Sequence, residues 1–270
     1  LAEFIIYVNM LTWPVTVVGW LTSIIQQAEA SQKRINYFLK ETPDVKDGYL
    51  NNKVIDGNIE FKNVSMFYPE TKIKALDNVS FKIKKGKTIG ILGPVGSGKT
   101  SLFELIVRIY DPSKGDIFIG DNNIKNLKLI NLRKNLGYVP QNPFLFSESI
   151  IDNITFGKEK AKYEEIQNAA KNASIHNEIT KLNNGYETVL GERGITLSGG
   201  QVQRVSLARA LIKDAKILLL DDCLSAVDTD TEEKILKNLK SYGKDRTTIM
   251  TSNRISSIRL SDHIIVFKKG

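Results

Sequence analysis

The eight residues Gly93-Pro94-Val95-Gly96-Ser97-Gly98-Lys99-Thr100 restrict the fold more than any other part of this 270-residue chain. They fit G-x-x-x-x-G-K-[ST] and sit between a strand-like TIGILG and a helix-like SLFELI. Glycines let backbone N–H groups wrap a phosphate chain, and the start of the following helix adds a favourable dipole. Lys99 can reach the β- and γ-phosphates of a bound nucleotide, and the Thr100 hydroxyl can ligate Mg²⁺. The strand–loop–helix context is what makes the match specific. Short apolar runs at 88–93, 137–140, 217–220, 248–251 and 263–267 predict strands buried on both faces of a parallel sheet. Helices are predicted at 101–109, 163–173, 200–212 and 231–240. The segments NIEFKNVSMFY and NVSFKIKKG alternate apolar and polar residues, which predicts half-exposed antiparallel strands.

Ile217-Leu218-Leu219-Leu220-Asp221-Asp222 reads as a buried strand ending in two carboxylates. Asp221 suits a Mg²⁺ shell at the carboxyl end of a parallel strand. Alone it would read equally well as a helix cap; the phosphate loop upstream decides for the metal. Leu197-Ser198-Gly199-Gly200-Gln201 opens the helical VQRVSLARALI with a hydroxyl, bare backbone amides and a positive dipole end. A given pentapeptide turns up by chance in about one in 10⁴ chains of this length. It forms a second phosphate-binding device. One nucleotide does not need both from one chain, which implies two chains sandwiching ATP.

Composition excludes more than it selects. The net charge of +8 invites a nucleic-acid partner, but the lysines are scattered and no basic run carries aromatics, so none is expected. Cys223 cannot form an intrachain disulfide, and His176 and His263 have no second ligand at metal-binding spacing. From Phe4 to Ala28 there is no charged residue, and about 20 such residues span a bilayer as a helix. Pro14 is expected to kink this segment, and its polar residues to face other helices or a cavity. The following AEASQKRINYFLKE continues as a charged helix on the positive-inside side. Pro43, Gly48 and Gly57 then break it. The organisation expected is a membrane helix with cytosolic extension at 1–40, a linker at 41–57 and a nucleotide-binding domain at 58–270.

On these motifs the chain resembles the nucleotide-binding domain of ATP-binding cassette exporters, which fuse membrane and ATPase domains. The resemblance covers essentially the whole chain, with the C-terminal end of the cassette missing. It implies an α/β fold: a phosphate-loop, RecA-like core with an antiparallel β subdomain and a helical subdomain around 145–205, preceded by one transmembrane helix. It implies ATP and Mg²⁺ as ligands, held by Gly93, Val95, Gly96, Ser97, Gly98, Lys99, Thr100 and Ser101, with Tyr68 stacking on adenine. Gln141 matches the glutamine loop that senses Mg²⁺ and faces the membrane domain. Mg²⁺ would be held by Thr100, Gln141 and Asp221. Glu192, Arg193 and Gly194 match the exporter-specific segment, and Ser225, Ala226, Val227 and Asp228 the loop contacting the opposing cassette. The resemblance implies a cell-membrane, multi-pass protein with its ATPase domain in the cytoplasm.

Two positions depart from the pattern. The family places Glu where this chain has Asp222, as the base that polarises the attacking water, and His where this chain has Asn253. An aspartate carboxylate falls short by about 1 Å, a misplacement that can reduce a rate about 10²-fold. Asn can donate a hydrogen bond but carries no charge and relays no proton. Together these resemble the degenerate half of a heterodimeric exporter, whose intact residues 197–201 complete a competent partner site. A homodimeric exporter with active hydrolysis and a non-transport cassette ATPase are the alternatives.

Overall fold

The computed structural model describes residues 1–51, 55–191, 197–243 and 245–268. It divides into two compact units, Leu1–Asp44 and Val45–Gly270. The first unit is dominated by a single helix, α1 (Ala2–Lys40), which Pro14 does not interrupt. The hydroxyls of Thr12, Thr16 and Thr22 donate to the carbonyls of Val8, Thr12 and Val18 at 2.9, 2.8 and 2.7 Å. Three polar groups are therefore satisfied inside the helix itself. Among the described residues α1 alone is long and apolar enough to cross a membrane, with a mean hydropathy of 1.6 over its apolar stretch. Asn9, Thr12, Thr16, Gly19, Ser23 and Gln26 recur every three or four residues and share one face.

The second unit contains two sheets. β1 (Ile59–Phe67), β2 (Lys74–Ile83), β4 (Lys114–Ile119) and β5 (Asn122–Asn123) form an antiparallel sheet in the order β2-β1-β4-β5. β3 (Thr88–Leu92), β6 (Leu136–Val139), β7 (Ile217–Asp221), β8 (Thr247–Ser252) and β9 (His263–Val266) form a parallel sheet, ordered β6-β7-β8-β3-β9. The apolar run of β7 shows why a parallel strand needs no alternation. Ile217 and Leu219 enter a core with Phe61 of β1 and Phe103, whereas Leu218 and Leu220 enter a second core on the opposite face.

Helices close both cores. α2 (Lys99–Ile106) follows the phosphate loop, and its Leu102, Phe103 and Leu105 fill the core shared with the antiparallel sheet. α3 (Leu129–Lys134) contributes Leu132 to the same core. α4 (Ile150–Thr155), α5 (Tyr163–Asn172) and α6 (His176–Ile179) pack with α7 (Gly199–Leu211) around Ile154, Ile166, Ile179 and Val205. α8 (Thr229–Tyr242) and α9 (Ile255–Ile258) add Ile235, Leu236 and Ile258 to this second core. Because β7, β8 and β3 are neighbours, the segments leaving their carboxyl ends meet at one edge. Those segments carry Asp221 and Asp222, Asn253, and the phosphate loop.

Candidate nucleotide site

The phosphate loop is a cradle that only glycine can build. Gly98 caps α2 with φ +92°, and a Cβ there would lie 2.4 Å from the Ala75 carbonyl oxygen. Gly96, at φ +80°, faces open space. Ser97 Oγ is buried and finds no hydrogen-bond partner among the described residues. The Lys99 side chain folds back: its Nζ donates to the carbonyls of Gly93 and Pro94 at 2.6 and 2.8 Å, and to Asn253 Oδ1 at 3.1 Å. Burial pushes the Lys99 ammonium below the usual lysine range, while Asp222 and Asp221 pull it back up.

Asp221 and Asp222 are adjacent in sequence and differ in environment. Asp221 is buried; its Oδ1 accepts the Thr251 hydroxyl at 2.6 Å, and its Oδ2 has no partner among the described residues. A buried carboxylate oxygen left unpaired is costly, and a cation placed there removes that cost. Asp222 takes φ +43°, a left-handed conformation uncommon for a non-glycine residue. Its N–H donates to the Thr251 carbonyl at 3.1 Å. Asn253 Nδ2 donates to Asp222 Oδ2 at 3.3 Å, and Ser252 Oγ donates to Oδ1 at 3.4 Å. Burial pushes the Asp222 carboxyl up, against the Ser252 hydrogen bond that lowers it. Asn253 thus bridges the loop lysine and the second carboxylate through opposite ends of one amide.

A cavity of about 300 Å³ is lined by Tyr68, Val95, Gly96, Gly98, Lys99, Thr100, Ser101, Gln141, Asp221, Asp222 and Asn253, together with Ile73, Lys74 and Ala75. Gly93 and Ser97 are not among the lining residues. Among the described residues no group of three His, Cys, Asp or Glu could hold a metal. A cation here would instead draw on one carboxylate, neutral oxygens from Thr100 and Gln141, and phosphate, a set that suits Mg²⁺. Tyr68 is half-buried: its hydroxyl meets Ser101 Oγ at 2.7 Å and donates to Glu104 Oε2 at 2.8 Å.

None of Leu197, Ser198, Gly199, Gly200 and Gln201 lines this cavity. They form a separate, partly exposed site at the start of α7. Ser198 Oγ accepts from the Gln201 N–H at 3.3 Å while Gln201 Oε1 accepts from the Ser198 N–H at 2.8 Å, a reciprocal cap. Gly200 packs on the loop bearing Ser225, Ala226 and Asp228; a Cβ there would lie 2.7 Å from the Ala226 carbonyl oxygen. Gln203 ties the same loop to α7, accepting from the Ala226 N–H at 3.1 Å and donating to Ser225 Oγ at 3.2 Å. Arg204 forks onto Glu178 at 2.5 and 3.0 Å, and Gln201 Nε2 donates to Glu178 at 2.9 Å. Glu192, Arg193 and Gly194 lie outside the described residues. Thr251, Ser252, Gln203, Glu178 and Glu104 escaped the sequence reading, since each acts through a partner distant in sequence.

A buried strand feeding a glycine cradle, separated by one strand from another that ends in a half-paired carboxylate, defines a phosphate-loop ATPase. Residues 76–225 match the family model for the ABC transporter, and the chain belongs to that family. It is 43% identical over its whole length to the multidrug resistance-like ATP-binding protein MdlA of Escherichia coli, covering 46% of that protein. It is 40% identical to YheI of Bacillus subtilis, a probable multidrug resistance ABC transporter ATP-binding/permease protein, again over 46% of its length. A bacterial Atm1-family ABC exporter with ATP bound superposes with a TM-score of 0.83 at 36% identity, over 90% of this chain and 43% of that one. The chain therefore spans about half the length of the curated relatives it matches.

Proposed function

We propose that this chain carries the ATPase of a membrane exporter and that α1 is one span of a multi-pass membrane domain, with the ATPase unit in the cytoplasm. Two cassettes would sandwich ATP, each site pairing the cradle of one chain with residues 197–201 of the other. The observation that carries this reading is the separation of the two phosphate-binding devices on one chain. In the cradle, Lys99 would leave the Gly93 and Pro94 carbonyls to meet the γ-phosphate, while Thr100, Gln141 and Asp221 would hold Mg²⁺. When bound, the cation neutralises charge developing on the phosphates. Tyr68 offers an aromatic face to adenine.

The site of this chain is read as hydrolytically weak. Asp222 is one methylene shorter than the family's base, and Asn253 donates to it without being able to take up a proton. A heterodimer follows, in which residues 197–201 complete a competent site on a different chain. Steady-state phosphate release by the purified chain tests this. The chain should bind ATP yet turn over slowly, and Asp222→Glu with Asn253→His should raise its rate by about an order of magnitude or more. Brisk hydrolysis, unaffected by the double substitution, would favour a homodimer.

A further inference from the structure

The Tyr68 ring is held by its hydroxyl, through residues of α2, and by contact with a second ring. Its hydroxyl donates to Glu104 Oε2 at 2.8 Å and lies 2.7 Å from Ser101 Oγ. With the phenolic proton committed to Glu104, the Ser101 hydroxyl donates to the phenolic oxygen. Ser101 and Glu104 are three residues apart on α2 and so share the face that begins at the phosphate loop. The ring also meets Tyr110 in a T-shaped contact, centroids 5.5 Å apart. Burial and the Glu104 carboxylate hold the phenol protonated, opposed by the Ser101 hydrogen bond.

A ring fixed at its hydroxyl and packed against a second ring has no free rotor left to lose when a base stacks on it. We propose that Glu104 is a positioning residue for the nucleotide base: through the Tyr68 hydroxyl it sets the aromatic face before ATP arrives. The inference rests on Tyr68 being the residue that stacks on adenine. Glu104 adds no contact to the phosphates, and its negative charge close to the start of α2 slightly opposes them. Its signature is therefore a preference for the base at fixed phosphate binding.

The test compares ATP with inorganic tripolyphosphate, each with Mg²⁺, by calorimetric titration of the full chain in detergent. Glu104→Ala should weaken ATP about 3- to 10-fold, the value of one immobilised side chain, while tripolyphosphate binds as before or better. Glu104→Gln also removes the charge but keeps an acceptor for the phenol, and should hold the ratio of the two affinities within about 2-fold of the parent. Tyr68→Phe deletes the same hydrogen bond from the other side, and combined with Glu104→Ala should be no worse than either alone. Equal losses of ATP and tripolyphosphate in Glu104→Ala, or additive losses in the pair, would overturn the proposal. Tyr68→Ala is the control for the stacking reading: an unchanged affinity ratio there would remove that reading itself. A fallen ratio in Tyr68→Ala with an unmoved one in Glu104→Ala would remove only the role of Glu104.

Discussion

Cys223 follows Asp222 directly and is buried, and burial next to two carboxylates pushes its thiol up to about 12. The unfolded chain releases that proton near pH 9, whereas the folded chain keeps it. Above pH 9 the unfolded state therefore holds fewer protons, and stability from this group falls by about 1.4 kcal/mol per pH unit until the folded thiol also ionises. Urea titrations at pH 8, 9 and 10 should show a shallower alkaline loss in Cys223→Ala than in the parent; identical slopes would refute the assignment. Lys99 and Tyr68 give a second residue-scale prediction. Lys99→Ala should abolish binding of a fluorescent ATP analogue, and Tyr68→Ala should weaken it by about 1–3 kcal/mol. The phosphate loop, Asp221 and residues 197–201 could be picked out beforehand because each motif is contiguous, with the spacing expected of a phosphate-binding turn or a helix end. Thr251 and Glu104 could not. Each matters through hydrogen bonds to residues 29 or more positions away, and no local pattern marks such bonds.

At the scale of elements, the start of α7 is held from below. Arg204 is buried, with its guanidinium forked onto Glu178, accepting nothing and donating also to the carbonyls of Gly200 and Ser174 at 3.2 and 2.8 Å. Burial pulls the Glu178 carboxyl up, but the hydrogen bonds from Arg204 and Gln201 win and hold it below the usual range. The stability this confers is present above the unfolded carboxylate's pKa and lost as pH falls below it. Glu178→Ala leaves a buried guanidinium half-paired, so it should destabilise the chain by about 1–3 kcal/mol in urea at pH 7. The difference from the parent should shrink by pH 3.5; a constant difference would mean packing rather than charge. The same contrast explains which elements could be read beforehand. β3, β7, β8, α5, α7 and α8 have apolar runs or periods long enough to declare themselves. α4, of six residues, and α6, of four, are too short for a helical period to emerge. They form because Ile150, Ile154 and Ile179 close the core over α7.

At the scale of the whole molecule the two units differ in the surface they expose. α1 exposes Phe4, Trp13, Trp20, Leu21 and Ile25, whereas the cores of the second unit are closed and continuous. Exposed apolar patches beyond a few hundred Å² are rare on soluble proteins, and a bilayer is the environment that relieves them. A chain beginning at Val45 should be monodisperse without detergent in size-exclusion chromatography, and one beginning at Leu1 should aggregate; equal solubility would sink the membrane assignment. The ATPase unit makes a sharper prediction about assembly. Because Ser198 and its neighbours do not line the cavity that holds Lys99, Ser198→Ala should leave the chain's own affinity for Mg²⁺–ATP unchanged. Its hydroxyl would face the γ-phosphate of the opposing cassette, so the same substitution should cripple hydrolysis at the partner's site in a mixed pair. Lys99→Ala gives the opposite pattern, losing ATP from its own cradle while sparing the partner's. Phosphate release and ATP binding measured on each mixed pair separate the two. A Ser198→Ala chain that itself loses ATP would mean that both devices serve one nucleotide and that the sandwich is wrong.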